Sequence, residues 1–160
     1  MNKTTTKTLK ITTSISLCLF VGFLGSIATK SSVNEWYTTI NKPFFNPPNI
    51  VFPIVWTCLF VLMGISFGLI WNKDIKHTSA KKAAFCFLLQ LLINLLWSVT
   101  FFGMQQISTA LLVVFGLLML LLLTFKWFRV VHKTAAYLLI PYIAWVGFAF
   151  ILNFAIWWLN

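Results

Sequence analysis

Apolar residues run in five long blocks along the chain: Ile11–Ala28, Ile50–Trp71, Ala83–Gly103, Ser108–Phe125 and Thr134–Leu159. Each reaches the roughly 18 residues that a helix needs to cross the hydrocarbon of a bilayer. No Lys, Arg, Asp, Glu or His interrupts any block. Backbone groups in lipid must be satisfied internally, so the blocks are predicted to be helices. A transmembrane β-barrel would show short alternating segments instead. The expected fold is therefore all-α: an integral membrane bundle of five transmembrane helices forming a single domain over residues 1–160, with an outer loop over 29–49.

The charges between the blocks are unevenly placed. Lys3, Lys7 and Lys10, then Lys73, Lys76, Lys81 and Lys82, then Lys126, Arg129 and Lys133 would share one side, leaving Lys30 and Lys42 on the other. Basic residues mark the cytoplasmic side, so the N-terminus is expected in the cytoplasm, with the C-terminus and the loop outside. The first block has the basic start of a signal peptide, and Ser26-Ile27-Ala28 resembles a cleavage site. It is longer than the usual signal core of about 7–15 residues, which favours a retained span. The N-terminal tail carries no Arg, which favours a bacterial cell membrane over an organelle address.

Composition agrees with the pattern and excludes several functions. The 160 residues are 60% hydrophobic and 18% aromatic, with 9% charged, against about 25% charged in soluble domains. The net charge of +10, with Glu35 and Asp74 the two acids, would suit nucleic acid. No nucleic-acid motif accompanies it, and the basic residues flank apolar blocks as membrane anchors do, so no nucleic-acid partner is expected. Cys18, Cys58 and Cys86 lie inside apolar blocks and read as small buried hydrophobes. His77 and His132 fall in connecting segments at no metal-ligand spacing, so neither a metal nor a cofactor is expected. There is no intramembrane carboxylate, no Ser/His/Asp set, no phosphate loop and no pair of acids. Ordinary polar catalysis is not expected. No internal repeat points to an inverted-repeat transporter.

The candidate binding chemistry is aromatic and amide. Four of the five prolines, Pro43, Pro47, Pro48 and Pro53, lie between Trp36 and Trp56. Proline restricts the backbone, so this segment reads as a stiff lid or the mouth of a pocket. In the third block Gln90, Asn94, Ser98 and Gln105 recur near steps of four, with Trp97 and Phe101 between them, and are predicted to share an inward face. Gln90 reads as helix–helix glue; Asn94 suits glue and ligand binding equally. In the second block Trp56, Phe60, Met63 and Phe67 form a stripe. Gly64 and Gly68 there form a G-x-x-x-G pattern that suits internal packing or a dimer, and Gly22 with Ser26 is a second small pair. In the last block Tyr142, Trp145, Ala149, Leu152 and Asn153 share a face. Pro141 is expected to kink that helix and free a carbonyl near Tyr137. Ala149 leaves room either for a ligand or for a close helix. Trp36, Trp71, Trp127, Trp157 and Trp158 fall near membrane boundaries, where indoles anchor. Trp56, Trp97 and Trp145 are the candidates for stacking on a flat ligand.

Four motifs occur in order: W-Y-x-x-x-x-K-P-x-x-x-P-P at Trp36–Pro48, F-P-x-V-W at Phe52–Trp56, N-x-x-W-S-x-x-F-F at Asn94–Phe102, and P-Y-x-x-W-x-x-F-A-x-x-L-N at Pro141–Asn153. Together they resemble the translocator protein family, also called tryptophan-rich sensory proteins or peripheral-type benzodiazepine receptors. The resemblance implies a five-helix bundle, usually a homodimer, with a pocket opening toward the first loop. It implies porphyrins or other flat apolar ligands as partners, and sterols in some members. The C-terminal segment lacks the Tyr and following basic residue of the sterol motif, while Val33, Tyr37 and Lys42 fit a looser version by spacing. Carried over by motif, the pocket would be Tyr37, Pro47, Trp56, Asn94, Trp97, Ser98, Phe101, Trp145 and Ala149. Trp56 and Trp145 match tryptophans tied in some relatives to light-dependent porphyrin breakdown. A binding protein is the leading expectation; light-driven degradation and passive transport are its alternatives.

Overall fold

The computed structural model describes residues 2–73 and 77–160. Asp74, Lys76 and the side chain of Lys3, used above for charge placement, lie outside the described residues. The elements are α1 (Lys3–Asn34), α2 (Trp36–Thr39), α3 (Val51–Trp71), α4 (Thr78–Ser98), α5 (Ile107–Val131), α6 (Lys133–Tyr137) and α7 (Ile140–Leu159). A π-helical turn, Val99–Gly103, continues α4. Among the described residues there is no strand, and five helical segments are long and apolar enough to cross a membrane. The fold is the expected all-α bundle of a multi-pass membrane protein.

The helices outrun the apolar blocks. Asn2 caps α1 by accepting from Thr4 N at 3.5 Å. The hydroxyls of Thr8 and Ser14 bond carbonyls one turn back, at 3.1 and 2.8 Å. Polar residues therefore stay helical without exposing unsatisfied groups to lipid.

The last apolar block departs from a single kinked helix. It is broken into α6 and α7 around Leu138 and Leu139, because Pro141, in the first turn of α7, has no N–H to continue the ladder. Leu139 N bonds Ala136 O at 3.0 Å, one residue short of the regular partner. The carbonyl this frees, on Ala135, accepts from Ser66 Oγ of α3 at 2.6 Å. The break is thus satisfied by a neighbouring span, as lipid requires.

The spans close into a ring in the order α1, α3, α6/α7, α5, α4, with α4 returning to α1. One end is densely packed. Phe67, Phe87 and Phe128 from α3, α4 and α5 stack at centroid distances of 4.4 and 5.7 Å. Lys10 Nζ donates to Trp71 O at 3.1 Å at the same end.

The Gly64–Gly68 pattern serves this packing. A Cβ built on Gly64 would stand 2.4 Å from Ile15 Cα, and one on Gly68 2.7 Å from Ile11 Cα. Only glycine lets α1 lie directly on α3 there, so this pair forms an internal seam.

At the other end the proline-rich loop is a folded cap. Asn46 N bonds Pro43 O at 3.0 Å and Val51 N bonds Pro48 O at 2.9 Å. Lys42 Nζ donates to the carbonyls of Tyr37 and Ile40 at 2.6 and 3.0 Å and sits 5.0 Å from the Tyr37 ring centroid. Asn41 N donates to Asn160 Oδ1 at 2.9 Å, and Asn160 Nδ2 donates back to Asn41 O at 3.0 Å. The loop is therefore tied back to α2 and across to the end of α7.

Candidate functional site

Beneath the cap lies a cavity of about 600 Å3, walled by α1, the first turns of α3, the end of α4 and its π turn. The start of α3 is set by Pro53, which sits in the first turn where no backbone donor is needed. That places Phe52, Trp56 and Phe60 on the cavity wall. The Trp56 ring lies 6.3 Å from Trp97, 5.6 Å from Phe60 and 6.1 Å from Tyr142. Trp97 Nε1 donates to Asn153 Oδ1 at 3.2 Å, and Asn153 Nδ2 donates to Ile107 O at 3.3 Å. The indole is therefore fixed in orientation, and its face is left for apolar contact.

The amide stripe of α4 divides by depth. Gln90, fully buried, accepts from Tyr142 OH at 2.8 Å, and Asn94 Nδ2 donates to that same oxygen at 2.8 Å. These bonds fasten α4 to α7, and Gln90 is glue. Asn94 does both jobs left open by its sequence: it holds Tyr142 and also lines the cavity. Its Oδ1 has no partner among the described residues. Ser98 Oγ donates to Gly25 O at 3.1 Å and lies 3.0 Å from Thr29 Oγ1, fastening α4 to α1 at the cavity wall. Gln105 is not on this face. The π turn ends the helix before it, and Gln105 is exposed with φ 57°.

Tyr37 closes the top. It is buried, lines the cavity and donates from its hydroxyl to Asn46 Oδ1 at 2.7 Å. Burial pushes its phenol up to about 12, so it stays a neutral donor.

Five of the motif-derived residues, Tyr37, Trp56, Asn94, Trp97 and Ser98, thus meet on one cavity. The other four are placed elsewhere. Phe101 is a second row, stacked on Trp97 at 5.8 Å and edge-on to Tyr37 at 6.2 Å. Pro47 sits in the loop, its carbonyl accepting from Asn46 Nδ2 at 3.1 Å. Trp145 packs on Phe148 at 5.4 Å and on Phe52, itself a lining residue, at 6.0 Å. Ala149 is buried in the bundle, away from the lining.

The largest contribution that sequence reasoning missed is α1. Gly22, Gly25, Ser26, Thr29 and Lys30 all line the cavity. The small pair Gly22 and Ser26 was the available signal, and it read only as a packing motif.

The protein is thus, in class, an all-helical, multi-pass membrane bundle with an apolar, tryptophan-walled cavity under a hydrogen-bonded loop. The chain belongs to the TspO/MBR family, whose pattern matches residues 14–159. It is 42% identical over 146 residues to "Tryptophan-rich protein TspO" of Chlorobaculum tepidum, covering 91% of this chain and 92% of that one. It is 37% identical over 142 residues to "Tryptophan-rich sensory protein" of Cereibacter sphaeroides, covering 85% and 87%. To "Translocator protein" of Bos taurus it is 33% identical over 138 residues, covering 85% and 81%. The resemblance read from the four motifs is borne out at the level of the family.

Proposed function

We propose that the chain binds porphyrins and related flat apolar molecules in the cavity beneath the loop. One observation carries this reading: Trp56 and Trp97 stand 6.3 Å apart on the wall of a space of about 600 Å3. Small-molecule sites are concave, mainly apolar and roughly 300–1,000 Å3, with a few fixed polar groups. Phe52, Trp56, Phe60 and Trp97 supply the apolar surface, and Asn94 and Ser98 supply the polar points. The free Oδ1 of Asn94 suits a pyrrole N–H. Most of the affinity comes from burial, about 25 cal/mol per Å2 of apolar surface before association costs. The names "sensory" and "translocator" among the relatives agree with handling of a small solute. The cap and C-terminus are read as facing outward, since Lys30 and Lys42 are the basic residues at that end. A homodimer belongs to the same reading. It would use a surface other than Gly64–Gly68, which α1 occupies.

Protoporphyrin IX titrated into the protein in nanodiscs, followed by tryptophan quenching, tests the proposal. Losing one indole face costs about 0.5–1.5 kcal/mol, or roughly 2- to 10-fold in affinity. Trp56→Phe and Trp97→Phe should show that loss, and Trp145→Phe should not. Equal affinity and quenching for the parent, Trp56→Phe and Trp97→Phe would remove the cavity from consideration.

A second reading takes Trp56 and Trp145 as redox partners in the light-driven oxidation of bound porphyrin, with dioxygen as the oxidant that accepts the electrons; Trp56 lines the cavity and Trp145 packs on its lining residue Phe52. Illumination of the complex should bleach the porphyrin band. Unchanged bleaching in a Trp56→Phe/Trp145→Phe double variant would dismiss a role for these indoles.

A further inference from the structure

The cavity has an asymmetric rim. At the packed end α1 and α3 touch backbone to backbone, Ile11 at Gly68 and Ile15 at Gly64. Further along, a Cβ on Gly22 would stand 2.4 Å from Phe60 Cε2, so a phenyl ring already lies between the helices. Beyond that ring the cavity begins. Its rim carries Ser26 and Lys30 from α1, Asn49 from the loop just before α3, and Pro53 and Thr57 from the start of α3, all exposed. The rim hydroxyls are internally satisfied: Ser26 Oγ donates to Phe23 O at 2.7 Å and Thr57 Oγ1 to Pro53 O at 2.7 Å. The mouth thus lies in the gap between α1 and α3, at the level where the span Thr4–Lys30 ends.

Among the described residues Lys30 is the one charged group lining that rim. Among the described residues it makes no hydrogen bond or ion pair, and Glu35, the acid nearest in sequence, does not reach it. Lys42, the other cation at this end, is bound to the carbonyls of Tyr37 and Ile40. An apolar cavity cannot admit an unpaired carboxylate. At the mouth, a carboxylate can stay hydrated and pair with an ammonium while the apolar body goes inside.

We propose that Lys30 anchors an acidic group of the ligand, so that the cavity selects amphipathic carboxylic acids with a flat apolar body. The proposal rests on the ligand-binding reading above. The plain alternative is that Lys30 only anchors α1 to lipid headgroups. The two differ in what they demand of the ligand.

Protoporphyrin IX carries two carboxylates, and its dimethyl ester carries none. Both are titrated into the parent, Lys30→Gln and Lys30→Arg proteins in phosphatidylcholine nanodiscs. The parent should prefer the acid by about tenfold, in line with a hydrogen-bonded charge pair. That preference should shrink as salt is raised. Lys30→Gln should bind acid and ester alike, and Lys30→Arg should restore the preference. If the parent binds both forms equally, or Lys30→Gln keeps the preference, Lys30 is a lipid anchor only and the cavity reading stands. If neither form binds the parent, both readings fall.

Discussion

Replacing Gly64 with alanine probes the seam on which the cavity depends. The added Cβ would stand 2.4 Å from Ile15 Cα and 2.8 Å from Ile15 N. Carbon atoms settle at about 3.5–4.0 Å, so α1 must retreat by roughly 1 Å. The obstacle is backbone, and no rotamer change relieves it. Forced overpacking costs about 1–3 kcal/mol, partly offset by the better helix propensity of alanine, worth up to about 1 kcal/mol. The net expectation is a loss of about 1–2 kcal/mol. Gly116 is the internal control, because a Cβ there meets nothing within 4 Å. Gly116→Ala keeps only the propensity gain and should be neutral or stabilising.

Two readouts separate this seam from a dimer contact. Thermal unfolding in detergent gives the stability difference between the variants. Maleimide labelling of Cys18, which is fully buried on α1, reports whether the helix has moved. Cys58 and Cys86 are first changed to Ser so that Cys18 is the remaining thiol. Gly64→Ala should unfold earlier and label faster, and Gly116→Ala should do neither. Equal stability of the two variants would refute the argument. So would a Gly64→Ala protein that loses a dimer while Cys18 stays protected, since the pair would then be an intermolecular face.

Two further outcomes follow from the polar contacts. Tyr142→Phe strands Asn94 Nδ2 and Gln90 Oε1 beside a Gln90 Nε2 that already has no partner among the described residues. The cost should be about 1–2 kcal/mol by thermal unfolding, and an unchanged midpoint would show that the hydroxyl fastens nothing. Burial lifts the Tyr37 phenol from its ordinary 10.0 to about 12, so the folded cap holds that proton more tightly than an open one. Its contribution to cap stability is whole below about pH 10 and is lost as pH rises through about 12. The tyrosinate absorbance difference between the parent and Tyr37→Phe should therefore rise near pH 12, and a step near pH 10 would mean a solvated ring.

The bundle was legible because lipid leaves an apolar block one solution. Helix ends were less so. Asn2 and the threonines carry α1 well past Ile11, and that extension is decided by local caps and hydroxyls rather than by hydropathy. Pro141 announced a disturbance, but the turn of Leu139 N onto Ala136 O decides that the Ala135 carbonyl is the one freed, and Ser66 of another span satisfies it. On the cavity wall, spacing correctly grouped Asn94, Trp97 and Ser98 on α4. It could not tell a first row from a second: Phe101 stacks on Trp97, and Trp145 packs edge-on against the lining residue Phe52.

The share of α1 was hidden for a different reason, because a glycine acts through what its partner does. Gly64 and Gly68 bring two backbones together; Gly22 admits the ring of Phe60 and so holds the same two helices apart. Contact at one end and a wedge at the other make α1 and α3 diverge. The space under the cap is what that divergence leaves. Seam stability and cavity size are then set by the same few contacts and must change together. A smaller side chain at position 60 would let α1 close on α3 and narrow the space, while a retreat of α1 at Gly64 would open it and uncover Cys18. On the ligand-binding reading proposed above, room for a flat molecule is a property of how two helices cross, and the tryptophans are assigned only what that space holds.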